Sequence, residues 1–344
     1  MRILAADVGG TKTAVGIFEI GASALRVVRE GRFPSAEFPS LERVLAAFLA
    51  GAGRRPRFAG IGVAGPVRGG RARVTKLPWI LEERRLEREF PGTAFRLVND
   101  FVAVALGLPY LKPRQFRTLA PGRPEAGGPM AVLGAGTGLG EAGLLPFAGR
   151  YLPFPSEGGH ADFGPRDDRE SRFAAFLRER FGRAEWDRIL SGEGLVHIYD
   201  FLRAENPGAE TAATRRLLEA DEDRAAAISR AALSGADGLC RETLDLFVSL
   251  YGSEAGNVAL RYRATAGLYV AGGIAPKILP ALESGAFVEA FRRKPPLEDL
   301  LARIPVRVVL EPRLGLFGAA AAGYRTAIEA TRASSKRIVR FTAR

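Results

Sequence analysis

The stretch Asp7-Val8-Gly9-Gly10-Thr11 decides the fold, because it connects two short apolar runs at 3–6 and 14–18. Apolar runs of this length with a glycine turn between them predict a β-hairpin. Adjacent glycines allow backbone N–H groups to approach phosphate oxygens, and a neighbouring carboxylate can hold a hydrated Mg²⁺. An ordinary hairpin turn with a solvated Asp7 explains the segment equally well on its own.

The same pattern occurs again in the middle of the chain, so we expect two structurally related halves. Residues 131–133 are apolar, the turn reads Gly134-Ala135-Gly136-Thr137-Gly138-Leu139-Gly140, and 142–145 are apolar again. This loop can hold an anion, with the Thr137 hydroxyl as a further donor; the alternative is a flexible hairpin.

A third glycine turn, Gly272-Gly273, follows the apolar run 267–271. Here the backbone can approach a flat base or a ribose, and a plain connection from strand to helix is the alternative. Three glycine turns that each follow a strand are more informative together than any one of them.

Strand-like and helix-like segments alternate along the chain, which indicates an α/β fold. Residues 41–49 have apolar side chains at helical spacing and predict an amphipathic helix. The other predictions are strands at 58–64 and 95–98, a helix at 101–108, a region rich in Pro and Gly at 109–128, several helices over 171–262, strands at 267–271 and 306–310, and a helix of small residues from 318.

Length and composition exclude several classes of protein. The chain has 344 residues, of which 47% are hydrophobic and 26% charged, which is enough for two domains. The single cysteine, Cys240, excludes an intrachain disulfide and a Cys-rich zinc cluster. No apolar stretch approaches the ~20 residues that span a bilayer, and Asp7 comes too early for a signal peptide. We therefore expect a soluble, cytoplasmic protein with no membrane partner.

The net charge of +12 suggests a nucleic-acid partner at first sight. The basic residues are 44 Arg and 6 Lys, however, and many alternate with acids, as in Glu82-Glu83-Arg84-Arg85-Leu86-Glu87-Arg88-Glu89. Such mixing is typical of a solvated helix face, so we expect no nucleic-acid binding.

Two clusters of polar side chains are candidates for chemistry. Asn99-Asp100 follows a strand and precedes a helix, where it can bind a polyol and accept a hydroxyl proton, or simply cap the helix. The segment 155–162 contains Glu157, two glycines and His160 in one loop. The other histidine, His197, lies in a helix-like segment and is predicted to be structural.

Several known motifs are absent from the sequence. There is no Gly-Lys pair, which excludes a Walker A loop, and neither GxSxG nor HExxH occurs. The GxGxxG match at 138–143 does not lie between a strand and a helix, so a dinucleotide-binding fold is not indicated.

Together these motifs resemble the bacterial glucokinase family of the actin-like sugar kinases, the group without the zinc-binding cysteines of the ROK (repressor, open reading frame, kinase) family. The resemblance covers the two hairpins, the turn Ala271-Gly272-Gly273-Ile274, Asn99-Asp100, Glu157-Gly158-Gly159-His160 and Ile189-Leu190-Ser191-Gly192-Glu193-Gly194-Leu195. It implies an α/β, two-lobed, actin-like (ribonuclease H-like) sugar kinase fold with nucleotide and sugar in the interdomain cleft.

The resemblance also implies an activity, which is ATP-dependent phosphorylation of the 6-hydroxyl of D-glucose to glucose 6-phosphate, feeding glycolysis. Asp100 would be the catalytic base, and Asp7 would hold Mg²⁺ through water. The sugar would be bound by Asn99, Asp100, Glu157, His160 and Asp187. ATP would be bound by Asp7, Val8, Gly9, Gly10, Thr11, Gly136, Thr137, Gly138, Gly272 and Gly273. A homodimer is common in the resembled family.

Three positions depart from the family pattern. Asp187 stands where the family usually has Glu, Lys76 where Asn is common, and Ala6 where Gly is frequent. The first two leave open a kinase of the same fold that acts on another hexose or amino sugar. A non-catalytic sugar-binding regulator is the alternative from a different class.

For the domains we expect a small α/β domain at 1–109, completed by about 302–330, and a large α/β domain at 110–301. The basic tail 331–344 is expected to be disordered.

Overall fold

The structure is a computed structural model that describes residues 1–21, 24–51 and 53–342, with the backbone alone for 333–342. The chain divides into two units, Met1–Pro113 with Glu311–Arg344, and Arg114–Leu310. Each unit contains its own mixed β-sheet. The C-terminal segment thus returns to the unit in which the chain begins.

The first unit contains a five-stranded sheet and a small three-stranded one. Its strands are β1 (Arg2–Val8), β2 (Lys12–Ile20), β3 (Leu25–Pro34), β4 (Phe58–Val63), β5 (Val67–Arg68), β6 (Arg71–Arg73), β7 (Ile80–Glu82) and β8 (Ala94–Asn99). The main sheet has the order β3-β2-β1-β4-β8, and β5-β6-β7 form the small sheet. β2 is antiparallel to both β1 and β3, whereas β4 is parallel to β1 and β8 is parallel to β4.

This topology positions polar residues at one edge of the main sheet. Because β1, β4 and β8 run parallel, their carboxyl ends meet at that edge, where ligands of α/β sheets commonly bind. The register pairs Asp7 with Gly62 and Val63 with Asn99. The predicted hairpin and the predicted strands at 58–64 and 95–98 are confirmed.

Three helices of the first unit lie before residue 114. They are α1 (Leu41–Leu49), α2 (Glu83–Glu89) and α3 (Asp100–Gly107). In α1 the side chains of Leu41, Val44, Leu45 and Phe48 are buried, which confirms the amphipathic helix predicted from their spacing.

The second unit repeats the strand arrangement of the first. Its strands are β9 (Phe116–Ala120), β10 (Met130–Ala135), β11 (Leu139–Phe147), β12 (Arg150–Ser156), β13 (Gly267–Ala271) and β14 (Val306–Val309). The order is β12-β11-β10-β13-β14-β9. As in the first unit, an antiparallel meander is followed by parallel strands, here β10, β13 and β14, and β9 adds an antiparallel edge strand. The expectation of two structurally related halves is confirmed.

Two details of this sheet correct the sequence analysis. β14 pairs with β13 through Leu268 and Val306, so this strand lies in the second unit, not in a segment from 302 that completes the first. β9 was not predicted, because it lies within the segment rich in Pro and Gly, where strand signals are weak.

Eight helices of the second unit are described. They are α4 (Asp168–Phe181), α5 (Gly192–Glu205), α6 (Ala212–Ala220), α7 (Arg224–Ser234), α8 (Gly238–Tyr262), α9 (Leu279–Leu282), α10 (Ala286–Arg292) and α11 (Glu298–Arg303). Five of them begin at a side chain that accepts a backbone N–H, namely Asp167, Ser191, Thr211, Asp223 and Asp237. The prediction of several helices over 171–262 is confirmed.

The last helix, α12 (Leu314–Thr342), belongs to the first unit and packs closely against α3 and the main sheet. A Cβ on Gly318 would lie 1.5 Å from the Ala103 carbonyl oxygen, so only glycine permits this contact. The expected disorder of the tail differs from the structure, in which α12 continues to Thr342; residues 331–342 contain neither Gly nor Pro, which would stop a helix. Residues 343 and 344 lie outside the described residues.

Within the described residues, no helix has both the length and the apolar character that crossing a membrane requires.

Candidate active site

The turn between β1 and β2, which we call the first hairpin, is held in place by a serine that sequence reasoning missed. The Gly9 N–H donates to the Lys12 carbonyl over 3.1 Å, and Ser35 Oγ donates to the Gly9 carbonyl over 2.9 Å. The Ser35 N–H also donates to the Thr11 carbonyl over 3.0 Å, and Ser35 is fully buried. The turn is therefore preorganised, as a backbone site for an anion should be.

Asp7 at the end of β1 lies near a second carboxylate. Burial, and after it repulsion from the Asp100 carboxylate, raises the pKa of Asp7 to about 6, while Lys12 acts in the opposite direction. A Cβ on Gly315, in the first turn of α12, would lie 2.7 Å from Asp7 Oδ2. The Asp7 carboxylate thus lies near the Asp100 carboxylate and packs against the backbone at Gly315.

These two carboxylates fit a hydrated Mg²⁺ better than a metal bound only by protein. In the part of the chain that the structure describes, no three or more His, Cys, Asp or Glu side chains form a metal-binding group. Mg²⁺ usually keeps several waters and takes one or two carboxylates plus substrate phosphates. A cation at Asp7 would also relieve the repulsion between Asp7 and Asp100.

Asn99 caps α3. Its Oδ1 accepts from the N–H groups of Phe101 and Val102 at 2.9 and 3.2 Å, and its Nδ2 donates to the Gly65 carbonyl over 3.3 Å. Asp100 Oδ1 accepts from the Phe101 N–H over 2.9 Å. Both side chains are therefore fixed at the helix N-terminus, in the same unit as the first hairpin.

The turn between β10 and β11, the second hairpin, is fixed by a hydrogen bond within the turn and by one from the segment around Gly192. The Gly136 N–H donates to the Gly138 carbonyl over 2.9 Å, and the Gly192 N–H donates to the Gly136 carbonyl over 3.0 Å. The segment around Gly192 thus supports this hairpin directly. Thr137 is exposed at the tip, where its hydroxyl can meet a ligand.

The turn at Gly272-Gly273 packs against the second hairpin. Gly272 has φ +84°, and a Cβ on it would lie 2.3 Å from the Ala135 carbonyl oxygen. The Ile274 N–H donates to the same carbonyl over 3.3 Å. Two of the predicted nucleotide-binding segments are therefore neighbours within the second unit.

His160 lies in a short 3-10 turn, Gly158–His160, and is oriented by Glu185, a residue that sequence reasoning missed. His160 Nδ1 is 3.3 Å from Glu185 Oε2. When Nδ1 of a neutral imidazole donates to this carboxylate, Nε2 is left as the acceptor. The side chains of Glu157 and His160 are exposed, so both can reach a ligand.

Glu141 lies directly behind this turn. A Cβ on Gly158 would be 2.2 Å from Glu141 Oε2, so the carboxylate touches the backbone of the loop. Arg261 pairs with Glu141 at 3.1 Å and also with Glu254, and both carboxylates are buried. Burial raises the pKa of Glu141 to about 8. Nothing in the local sequence marks Glu141, because its partners lie more than a hundred residues away.

Asp187 contacts the second hairpin. Its Oδ1 accepts from the Leu139 N–H over 2.7 Å, and a Cβ on Gly138 would lie 2.4 Å from the same oxygen. The predicted sugar-binding residue therefore also stabilises the predicted nucleotide loop.

His197 has a structural environment. Its Nδ1 lies 2.9 Å from the Arg188 carbonyl oxygen, and its ring centroid is 4.8 Å from that of Phe181. These contacts agree with the structural role predicted for it.

The sequence matches a family model described as Glucokinase over residues 4–326. It is 40% identical over 333 residues to the glucokinase of Nostoc sp. (strain PCC 7120), covering 92% of this chain and 97% of that protein.

Solved structures agree with this match. A glucokinase from an Antarctic psychrotroph has a TM-score of 0.84 at 31% identity, covering 94% of this chain and 99% of that one. A ROK family glucokinase from Streptomyces griseus, solved with glucose and AMPPNP, has a TM-score of 0.64 at 20% identity, covering 94% and 100%. The α/β fold is thus the actin-like sugar kinase fold that the sequence predicts.

Proposed function

The chain belongs to the glucokinase family, and from that premise we propose that it transfers the γ-phosphoryl group of ATP to the 6-hydroxyl of D-glucose. The observation that carries this proposal is the placement of Asp100 at the N-terminus of α3, close enough to Asp7 to raise its pKa. A kinase of this kind needs one base beside a site for phosphate and metal. The products are glucose 6-phosphate and ADP.

The two hairpins supply the phosphate-binding backbone in this proposal. Phosphoryl transfer depends mainly on positioning and on charge stabilisation, so preorganised N–H groups are effective catalysts. The hydrogen bonds of Ser35 and of Gly192 support such preorganisation. The turn at Gly272-Gly273 is proposed to contact the adenosine. When bound, Mg²⁺ supplies positive charge to the phosphate oxygens, and Asp7 is the residue that would hold it through water.

Asp100 is the proposed catalytic base. Its carboxylate accepts the proton of the 6-hydroxyl as that oxygen attacks the γ-phosphorus and the bond to ADP breaks. Support comes from the Asp100 Oδ1 contact with the Phe101 N–H at 2.9 Å, which orients the carboxylate. Asn99 already caps the helix, so Asp100 is not needed for that purpose.

Asn99, Glu157, His160 and Asp187 are proposed to bind the sugar hydroxyls. His160 Nε2 can accept a hydroxyl proton, because Nδ1 is directed at Glu185. Asp187 uses Oδ1 for the Leu139 N–H, so Oδ2 is the oxygen proposed for the sugar.

The shorter side chain at Asp187 favours one second candidate, which is a kinase of the same fold for another hexose or an amino sugar. ADP release measured in parallel with glucose, mannose, fructose and N-acetylglucosamine separates the candidates. We expect the highest kcat/KM with glucose and no turnover without Mg²⁺. A higher kcat/KM with another sugar would replace glucose as the substrate, and sugar binding without ADP release would favour a regulator.

The homodimer stays a prediction. The mass of the protein in solution, measured by light scattering, tests it.

A further inference from the structure

Lys76 occupies a backbone conformation that its side chain does not favour. It lies between β6 and β7 with φ +65°, in the left-handed region that costs an L-residue free energy. Asn adopts this region more readily than Lys does. A residue kept in an unfavourable conformation is a candidate for a functional role.

The Lys76 side chain lies over the first hairpin. A Cβ on Gly10 would be 3.1 Å from Lys76 Cβ, 3.9 Å from its Cδ and 3.0 Å from the Thr75 carbonyl oxygen. The aliphatic part of the lysine thus covers Gly10, in the segment proposed to bind phosphate.

Hydrogen bonds connect Thr75, the residue before Lys76, to the end of β1, and the neighbouring Gly65 to Asn99, the residue before the proposed catalytic base. The Thr75 N–H donates to the Ala64 carbonyl over 2.8 Å, and the Ala64 N–H donates to the Val8 carbonyl over 3.0 Å. The next residue, Gly65, accepts from Asn99 Nδ2 over 3.3 Å. Lys76 therefore lies in the same connected patch as the end of β1 and the start of α3.

The positive charge of Lys76 suits an anionic ligand bound beside the first hairpin. Lys76 is exposed, and within the described residues its ammonium group makes no hydrogen bond or ion pair. A Lys ammonium is a compact charge with three donors and is a common phosphate ligand.

We propose that Lys76 is a phosphoryl-binding residue whose ammonium group contacts the terminal phosphoryl group held at the first hairpin. This inference rests on the proposed function, because it assumes that the hairpin holds the phosphates of ATP.

The test compares wild type with Lys76→Asn, Lys76→Arg and Arg68→Asn. Arg68 is an exposed residue of the same small sheet, so its substitution removes one charge without touching the hairpin. The probes are the magnesium complex of a non-hydrolysable ATP analogue and adenosine, both measured by calorimetry. We expect Lys76→Asn to bind the analogue about tenfold more weakly and adenosine equally well, because one charge-assisted contact is lost.

The controls separate this role from a structural one. We expect Lys76→Arg and Arg68→Asn to stay within about twofold of wild type for the analogue, because both retain the charge at position 76. We expect the melting temperature of Lys76→Asn to be no lower than that of wild type, because Asn adopts a positive φ with less strain than Lys. If Lys76 had only a structural role, Lys76→Asn would change the melting temperature and leave the affinity for the analogue unchanged.

Two results would overturn the inference: equal analogue affinity of wild type and Lys76→Asn, or an equal loss in Arg68→Asn. If wild type binds the analogue and Lys76→Asn does not, yet no sugar is phosphorylated, the inference stands and the proposed function fails.

Discussion

The Asp187 carboxylate accepts a 2.7 Å hydrogen bond from the Leu139 N–H, so a residue proposed to bind the sugar also contacts the second hairpin. This contact links two binding functions through one side chain. Oδ1 holds the loop proposed for nucleotide, and Oδ2 is the oxygen proposed for a sugar hydroxyl.

Two substitutions at Asp187 separate these functions. Asp187→Asn keeps an acceptor for the Leu139 N–H, so we expect a KM for glucose about tenfold higher and a KM for ATP within twofold of wild type. Asp187→Ala leaves that N–H without its acceptor, so we expect both KM values to rise about tenfold. Steady-state kinetics measure both, and an unchanged KM for glucose in both variants would remove Asp187 from the sugar site.

The adjacent glycines 272 and 273 offer a matched pair of variants. A Cβ at 272 would lie 2.3 Å from the Ala135 carbonyl oxygen at φ +84°, whereas a Cβ at 273 has no neighbour within 4 Å. We expect Gly272→Ala to raise the KM for ATP at least tenfold and to lower the melting temperature, since the turn must move away from β10. Gly273→Ala should keep the melting temperature of wild type, because no protein atom lies within 4 Å of a Cβ at that position. An unchanged melting temperature and KM for ATP in Gly272→Ala would show that the turn tolerates a side chain.

The raised pKa of Asp7 predicts a pH dependence of nucleotide binding. Protons compete with a cation for this carboxylate, and its pKa is about 6 in the free protein. Below that pH we expect the affinity for the magnesium complex of a non-hydrolysable ATP analogue to fall about tenfold per pH unit. Because Asp100 repels the Asp7 charge, Asp100→Asn should move the fall to lower pH. Titration calorimetry between pH 5 and 8 measures both, and a flat profile would contradict the role of Asp7.

The buried Glu141 predicts the sign of a stability change with pH. Its pKa rises from 4.5 to about 8 on folding, so between these values the folded protein binds a proton that the unfolded chain has lost. Stability therefore falls as the pH rises through this window. Glu141→Gln carries no such proton, so its free energy of unfolding should exceed that of wild type at pH 8.5, and the difference should shrink as the pH falls towards 5.

Urea denaturation between pH 5 and 8.5 tests this difference. Glu242, an exposed residue, provides the matched control. Glu242→Gln should follow wild type at every pH. A constant offset between Glu141→Gln and wild type would show that Glu141 does not change its protonation on folding.

Much of this fold follows from local sequence. The two hairpins are marked by glycine turns between apolar runs, and α1 is marked by the spacing of Leu41, Val44, Leu45 and Phe48. Such signals depend on neighbouring residues alone, so a single sequence reveals them. The strand β9 has no such signal, since its formation depends on pairing with β14.

The supporting residues of the site could not be predicted in the same way. Ser35 contacts Gly9 across 26 positions, and Glu185 contacts His160 across 25. A serine or glutamate of this kind looks like any polar surface residue until the fold brings it to its partner. Sequence patterns therefore located the residues proposed to touch substrates, and the structure added those that orient them.

The most direct test of the account is the rate of ADP release with and without glucose, in wild type and in Asp100→Asn. The substitution keeps an acceptor for the Phe101 N–H, and Asn99 still caps α3, so the fold and its melting temperature should be retained. We predict glucose-dependent ADP release in wild type and a rate at least about 10²-fold lower in Asp100→Asn, as expected when a general base is removed. Near-normal turnover in a folded Asp100→Asn protein would contradict the assignment of Asp100 as the catalytic base, and no glucose-dependent ADP release in wild type would contradict the proposed function itself.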